Sequence, residues 1–237
     1  MHRIDFDTID STNTYLKDHY GELQDMTFVS ALLQTGGRGR NNRKWFSDKG
    51  DSLMFSLLLK DQEILKEYRV LSVLSAYSVV KVLEKLGIRD LMIKWPNDVY
   101  AQDKKICGIL LEGVSREKLE CLIIGTGLNV NQQAFEGEYL HEPTSVYLQT
   151  GRKTDLEELK NEVYAMFAGN LELLRQGHDF YPEIAEHDYL KGRRVLAEIR
   201  GSREEVTVRG INEDYSLGVC YGGNEFDIDS GEITFHL

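Results

Sequence analysis

Residues 91–112 read LMIKWPNDVYAQDKKICGILLE, and the fold is decided there. Residues 91–95 are apolar enough for a strand. Pro96 stops ladder pairing, so Asn97 and Asp98 are expected at a sheet rim, where sites are commonly built. Residues 99–102 and 105–112 then form a hairpin that turns at Asp103-Lys104.

Toward the N-terminus, Ile4 and Phe6 alternate with charged neighbours and predict a first strand. Asp10-Ser11-Thr12-Asn13 is a run of N-cap residues that opens a short helix through Tyr15 and Leu16. Residues 27–33 (TFVSALL) and 52–59 (SLMFSLLL) are buried strands on either side of a polar, glycine-rich loop. Leu71, Leu74, Val79, Val82, Leu83 and Leu86 recur at helical spacing, and Gly87 closes that helix.

Toward the C-terminus, residues 122–125 continue the sheet. A second long helix is expected to start at Thr154, with Thr154 and Glu157 as a capping box. Its inner face is Leu156, Leu159, Val163, Phe167, Leu171 and Leu174, and Gly177 ends it. From about Gly192 the pattern becomes short β segments at 195–200, 205–211, 217–221 and 225–228. Turns fall at Gly201-Ser202, 212–215 and Gly222-Gly223. Short strands packed into so few residues predict a small barrel of SH3 size. The fold class expected is α+β: a mixed β-sheet domain packed with helices over residues 1–188, then a small C-terminal SH3-like β-barrel over 189–237.

The 237 residues are 41% hydrophobic and 28% charged, which excludes collagenous, disordered and coiled-coil classes. With 28 Lys and Arg against 39 Asp and Glu, the net charge of −11 disfavours nucleic acid and anionic lipid as general partners. Cys107, Cys121 and Cys220 are odd in number and lack CxxC spacing, which points to reduced, buried thiols. No apolar run is long enough for a signal peptide or a spanning helix, so a cytoplasmic location is expected.

Against this acidic background, residues 36–45 (GGRGRNNRKW) hold four cations and no anion. Glycines let backbone N–H groups approach phosphate oxygens, and guanidiniums grip them in pairs. The loop therefore reads as a polyanion clamp, although its spacing is neither that of a P-loop nor of a Rossmann fingerprint. Asn97 and Asp98 could coordinate Mg²⁺, or Asp98 could take a proton from an attacking amine, or the pair could be a plain turn. Lys105 sits at the mouth of a buried strand. Gly125-Thr126-Gly127-Leu128-Asn129 ends another strand with two glycines.

In this order, the segments resemble the biotin–protein ligases. The residues that bear the likeness are Asp10-Ser11-Thr12-Asn13, Gln34 with GGRGRNNRKW, KWPND, Lys105 in KICGILLE, and Gly125-x-Gly-x-Asn129, spanning about residues 5 to 131. One departure is Asn42, where the family's loop usually has glycine. The resemblance implies activation of biotin with MgATP to biotinyl-5′-AMP, then transfer to one lysine of a biotin carboxyl carrier protein. It assigns Ser11, Thr12, Asn13 and Gln34 to the biotin ring, and Gly37, Arg38, Gly39 and Arg40 to the biotin carboxylate and nucleotide phosphate.

It further implies that Lys105 reaches the same oxygens, beside Gly108, and that Arg40, Lys105 and Asp98 are the catalytic residues, Asp98 accepting the incoming lysine's proton. Trp45 is expected near the biotin tail or the adenine. Arg43, Asn97 and Asn129 fall on the nucleotide side, with Asn97 and Asn129 as candidate Mg²⁺ ligands. Because the sequence starts close to its first strand, a ligase without DNA binding is expected, with no membrane partner and a homodimer left open. The alternatives are a lipoate–protein ligase-like acyl transferase and a non-catalytic sensor of biotin or nucleotide.

Overall fold

The computed structural model describes residues 2–40, 43, 45, 48–137, 139, 141–199 and 202–229. Their order is β1 (His2–Ile9), α1 (Thr12–His19), β2 (Thr27–Gln34), β3 (Ser52–Leu59), α2 (Gln62–Lys66), α3 (Tyr68–Lys85), β4 (Leu91–Lys94), β5 (Asp98–Ala101), β6 (Lys104–Ser115) and β7 (Leu119–Asn129). There follow α4 (Val146–Thr150), α5 (Leu156–Arg175), α6 (Tyr181–Glu186), β8 (Arg194–Ile199), β9 (Ser202–Ile211), β10 (Leu217–Tyr221) and β11 (Asn224–Ile228).

Seven strands make one sheet in the order β1-β2-β3-β7-β6-β5-β4, parallel only between β1 and β2. β3 lies between β2 and β7, and all eight of its residues are buried. Side chains alternate between the two faces of a strand, which accounts for the division of its contacts. Leu53, Phe55, Leu57 and Leu59 join the large core with α3 and α5, whereas Leu58 joins a smaller cluster with Leu16 of α1. Ser56 also faces α1, where its hydroxyl meets Thr12 and Asn13. The face that α1 covers thus carries both an apolar cluster and these hydroxyl and amide contacts.

The hairpin of β5 and β6 turns at Gln102 and Asp103, one residue earlier than expected. Both have positive φ, 49° and 62°, the geometry a two-residue type I′ turn demands. The second long helix starts after Asp155 rather than Thr154. Asp155 accepts from the backbone N–H of Glu157 and Glu158. The Thr154 backbone is instead held on both sides by the Asn131 amide, at 2.9 and 3.0 Å, which keeps it out of the helix.

Among the described residues β8 to β11 form an antiparallel sheet of four strands in the order β11-β10-β9-β8, and it does not close. Residues 200 and 201, part of the expected first turn, and 230–237 lie outside them. This sheet is fastened to the strand that leads into KWPND. Ile93 N–H donates to the His187 carbonyl, Tyr189 N–H donates to the Ile93 carbonyl, and the Trp95 indole donates to the Tyr215 carbonyl at 2.9 Å. Asp188 is the knot, accepting from Leu190 N–H and Ile211 N–H at 2.9 and 2.8 Å. No helix of the described residues is long and apolar enough to cross a membrane.

Replacing Asp188 with alanine leaves two buried N–H groups without acceptors, at a cost of about 2–5 kcal/mol. The thermal midpoint should fall by roughly 5–15 °C. A melt within 2 °C of the parent, on the order of the effect of a neutral surface change, would remove Asp188 from this role.

Candidate active site

Several strand ends and one helix end converge on a cavity of about 290 Å³. At one end, Ser11, Thr12 and Asn13 open α1, with Ser11 as its N-cap. All three are buried. Gln34 accepts from the Thr12 backbone N–H and hydroxyl at 2.8 and 3.1 Å. Ser56 donates to Asn13 Oδ1 at 2.5 Å, and Asn13 Nδ2 donates to Glu112 at 2.7 Å. These partners fix which way the Asn13 amide points. A Cβ on Gly125 would come within 2.3 Å of Asn13 Oδ1, so the strand beneath Asn13 has no room for a side chain.

The basic loop crosses the middle. Trp45 N–H donates to the Gly37 carbonyl and Gly39 N–H to the Arg43 carbonyl. A Cβ on Gly37 would reach 2.7 Å from the Trp45 carbonyl. Gly37 shapes the loop without lining the cavity. Arg38 donates to Thr14 at 3.0 Å and lies 3.6 Å from Glu112, and Arg40 donates to Asn97 Oδ1 at 3.3 Å. The Trp45 ring rests on Gly108 and Gly127, which are paired directly across β6 and β7. Its indole N–H is buried with no hydrogen-bond partner, a donor aimed at the cavity wall. Asn41, Asn42 and Lys44 lie outside the described residues, so the departure at Asn42 has no structural account.

The far wall is the KWPND segment, where the Trp95–Pro96 peptide is cis. Asn97 is tied to β6 by its Nδ2, which donates to the Ile109 carbonyl at 2.6 Å. Asp98 opens β5 and meets Lys105 at 2.7 Å. Lys105 Nζ also stands 5.8 Å from the Trp45 ring centre. Of the residues expected from sequence, Ser11, Thr12, Asn13, Gln34, Arg38, Gly39, Arg40, Arg43, Trp45, Asn97, Asp98, Lys105, Gly108 and Asn129 all line this one cavity.

Asn97 and Asn129, the expected Mg²⁺ ligands, are engaged in the cavity wall. The Asn97 oxygen faces the Arg40 guanidinium, Asn129 holds the Thr144 carbonyl at 3.0 Å, and neither supplies a carboxylate. Among the described residues no group of three His, Cys, Asp or Glu could hold a metal ion.

Several residues of the site escaped the sequence reading, Ser56 and Glu112 behind Asn13 and others in the cavity wall. Ser56 had a signal, a lone hydroxyl in an apolar strand, and Glu112 ends the KICGILLE segment already singled out. Phe135, Tyr139, His141 and Pro143 come from a stretch without periodicity, where no pattern marks them. Lys94 belongs to the KWPND segment, but the sequence gives it no role of its own. It is 4% exposed, with Nζ 2.7 Å from His141 Nε2. Burial is the main force pushing Lys94 down to about 8 and His141 down to about 4, so the imidazole is neutral at pH 7.

Residues 6–129 match the biotin/lipoate A/B protein ligase family. The chain belongs to that family. It is 34% identical over 214 residues to the bifunctional ligase/repressor BirA of Escherichia coli, covering 88% of this chain and 66% of that protein. It is 31% identical to the biotin--[acetyl-CoA-carboxylase] ligase of Paracoccus denitrificans, covering 67% and 68% of the two chains. The chain spans two thirds or less of the bifunctional relatives, 41% for that of Bacillus subtilis. Among solved structures, the Aquifex aeolicus biotin protein ligase in complex with biotin and ATP superposes with a TM-score of 0.86 at 30% identity, over 99% of this chain and 98% of that one. Family membership fits the α+β layout and the cavity at the strand ends.

Gly127→Ala tests the glycine floor. The new methyl would come within 2.5 Å of the Trp45 ring and displace it. Trp95 stays buried, so acrylamide quenching of tryptophan emission should rise in the variant through Trp45 alone. Unchanged quenching would mean that the ring does not rest on Gly127.

Proposed function

We propose that the chain is an ATP-dependent biotin–protein ligase, forming biotinyl-5′-AMP and passing biotin to a lysine of a biotin carboxyl carrier protein. The observation that supports this best is one cavity joining two chemistries. A buried cluster of hydroxyls and amides stands at one end, and Arg40, Lys105 and Asp98 stand at the other. A ureido ring offers two donors and a carbonyl, which the first cluster can satisfy. A carboxylate attacking a phosphate needs cations to offset the repulsion, which the second supplies.

In the first step the biotin carboxylate oxygen bonds to the α-phosphorus and pyrophosphate leaves. Arg38, Arg40 and Lys105 balance the charge, and Mg²⁺ enters with ATP as part of that substrate. In the second step the carrier lysine's nitrogen bonds to the acyl carbon, AMP leaves, and Asp98 takes the proton. Lys105 and Asp98 are in contact before substrate arrives. As Lys105 turns to the phosphate, the Asp98 carboxylate is released to act as base. Gly37, Gly39 and Arg43 shape the loop, Gly108 makes room for Trp45, and Asn97 and Asn129 hold the nucleotide-side wall. We place the domain boundary at residues 188 and 189, after the strap that pairs with β4. The described cysteines are free thiols, in keeping with a reducing compartment such as the cytoplasm.

A lipoate-type enzyme would share the fold and the cations but not the need for a ureido-sized polar cluster. The test is ATP–pyrophosphate exchange with biotin, with lipoate and with neither. Exchange should require biotin; exchange supported by lipoate instead would reject the proposal. Lys105→Ala should lower biotin-dependent exchange at least about a hundredfold, the loss of one strong electrostatic contact in the transition state, without changing the melt. Near-normal exchange would remove Lys105 from the reaction.

A further inference from the structure

Lys94 is a buried ammonium in the cavity wall that the two-step chemistry above leaves unused. It ends β4, and α3 meets that strand through the apolar cluster that holds Leu91 and Ile93. The charged and titratable groups facing it are Asp98 and Tyr100 of β5, Lys105 of β6, Arg43 of the basic loop and His141 of the segment after β7. Tyr100 OH is 3.4 Å from its Nζ, and the Tyr100 ring centre is 5.5 Å away.

Burying an ammonium is costly unless acceptors surround it, so a lysine here calls for an explanation. His141 is the close acceptor. Its ring is held edge-on by Tyr100 at 5.9 Å between centroids. A neutral imidazole that accepts at Nε2 keeps its proton on Nδ1, so Lys94 fixes the tautomer and His141 fixes the ammonium.

We propose that Lys94 is a further cation for the nucleotide's phosphate oxygens, and that His141 is the positioning residue that holds it. The proposal rests on the ligase reading above. Asp98 draws the ammonium toward the cavity, while Lys105 and Arg43 crowd it, so an arriving phosphate relieves repulsion among three cations. Burial already pushes Lys94 down to about 8, and Lys105 and Arg43 add to that push. The ammonium is therefore present at pH 7 and lost as pH rises through about 8. An ordinary lysine, with a pKa of about 10.4, keeps its charge over that range.

Calorimetric titration of α,β-methylene-ATP into biotin-saturated protein, between pH 7 and 9.5, reads this without turnover. Affinity should fall at least about fivefold across that span, centred near pH 8, as one charge-assisted contact is lost. Lys94→Met should bind weakly at every pH, with no inflection. His141→Gln keeps an acceptor and should stay within about threefold of the parent at pH 7. His141→Leu keeps the site buried but removes the acceptor, so the inflection should move down by about one pH unit.

A parent affinity flat from pH 7 to 9.5, an inflection that survives Lys94→Met, or an inflection unmoved in His141→Leu would overturn the proposal. A parent that binds no nucleotide at any pH would instead remove the ligase reading, and this inference with it.

Discussion

Three glycines on two neighbouring strands set the geometry of the whole site. β6 and β7 place Gly108 opposite Gly127, with Gly125 two residues along on the same face. Over the first pair lies the Trp45 ring, and over Gly125 lies the Asn13 amide. A methyl group at 125 or 127 would meet these groups at 2.3 and 2.5 Å, distances no ordinary contact tolerates. The floor brings a loop from between β2 and β3 and a helix from after β1 down onto the sheet together. Cations and hydroxyls that are distant in sequence then share one cavity.

The opposite wall has its own support. The KWPND segment is held from behind by the C-terminal sheet through Trp95, Ile93 and Asp188. The apolar residues of that sheet, among them Val208 and Leu217, lie in the same core cluster as Ile93. The β-rich tail thus packs as a buttress for Asn97 and Asp98 rather than hanging as a free appendage. Its own register is irregular at Gly218 and Val219.

Strands and the basic loop were legible because their signals are local. SLMFSLLL reads as a buried strand from eight apolar or small residues, and four cations on ten residues stand out in an acidic chain. The start of α5 was misplaced by one residue for a reason no local rule contains. Asn131, twenty-three positions away, occupies the Thr154 backbone and leaves Asp155 as the cap. The pairing of Lys94 with His141 was invisible for the same reason, since the two stand 47 positions apart. Asn97 and Asn129 show the reverse case: their residue type suggested a metal, and what the fold adds is that their Nδ2 groups hold the carbonyls of Ile109 and Thr144.

The central claim is that Asn13, fixed between Ser56 and Glu112 above a bare Gly125, recognises the ring of biotin. Titration calorimetry with biotin on the parent chain and on Gly125→Ala tests it directly. The alanine methyl must push Asn13 off its partners, since it would stand 2.3 Å from the Asn13 Oδ1. The account predicts binding of one biotin per parent chain and an affinity at least about tenfold lower in the variant, from about 1–3 kcal/mol of lost hydrogen bonding, with the variant still cooperatively folded by circular dichroism at the assay temperature. Equal affinity in the two proteins would contradict it.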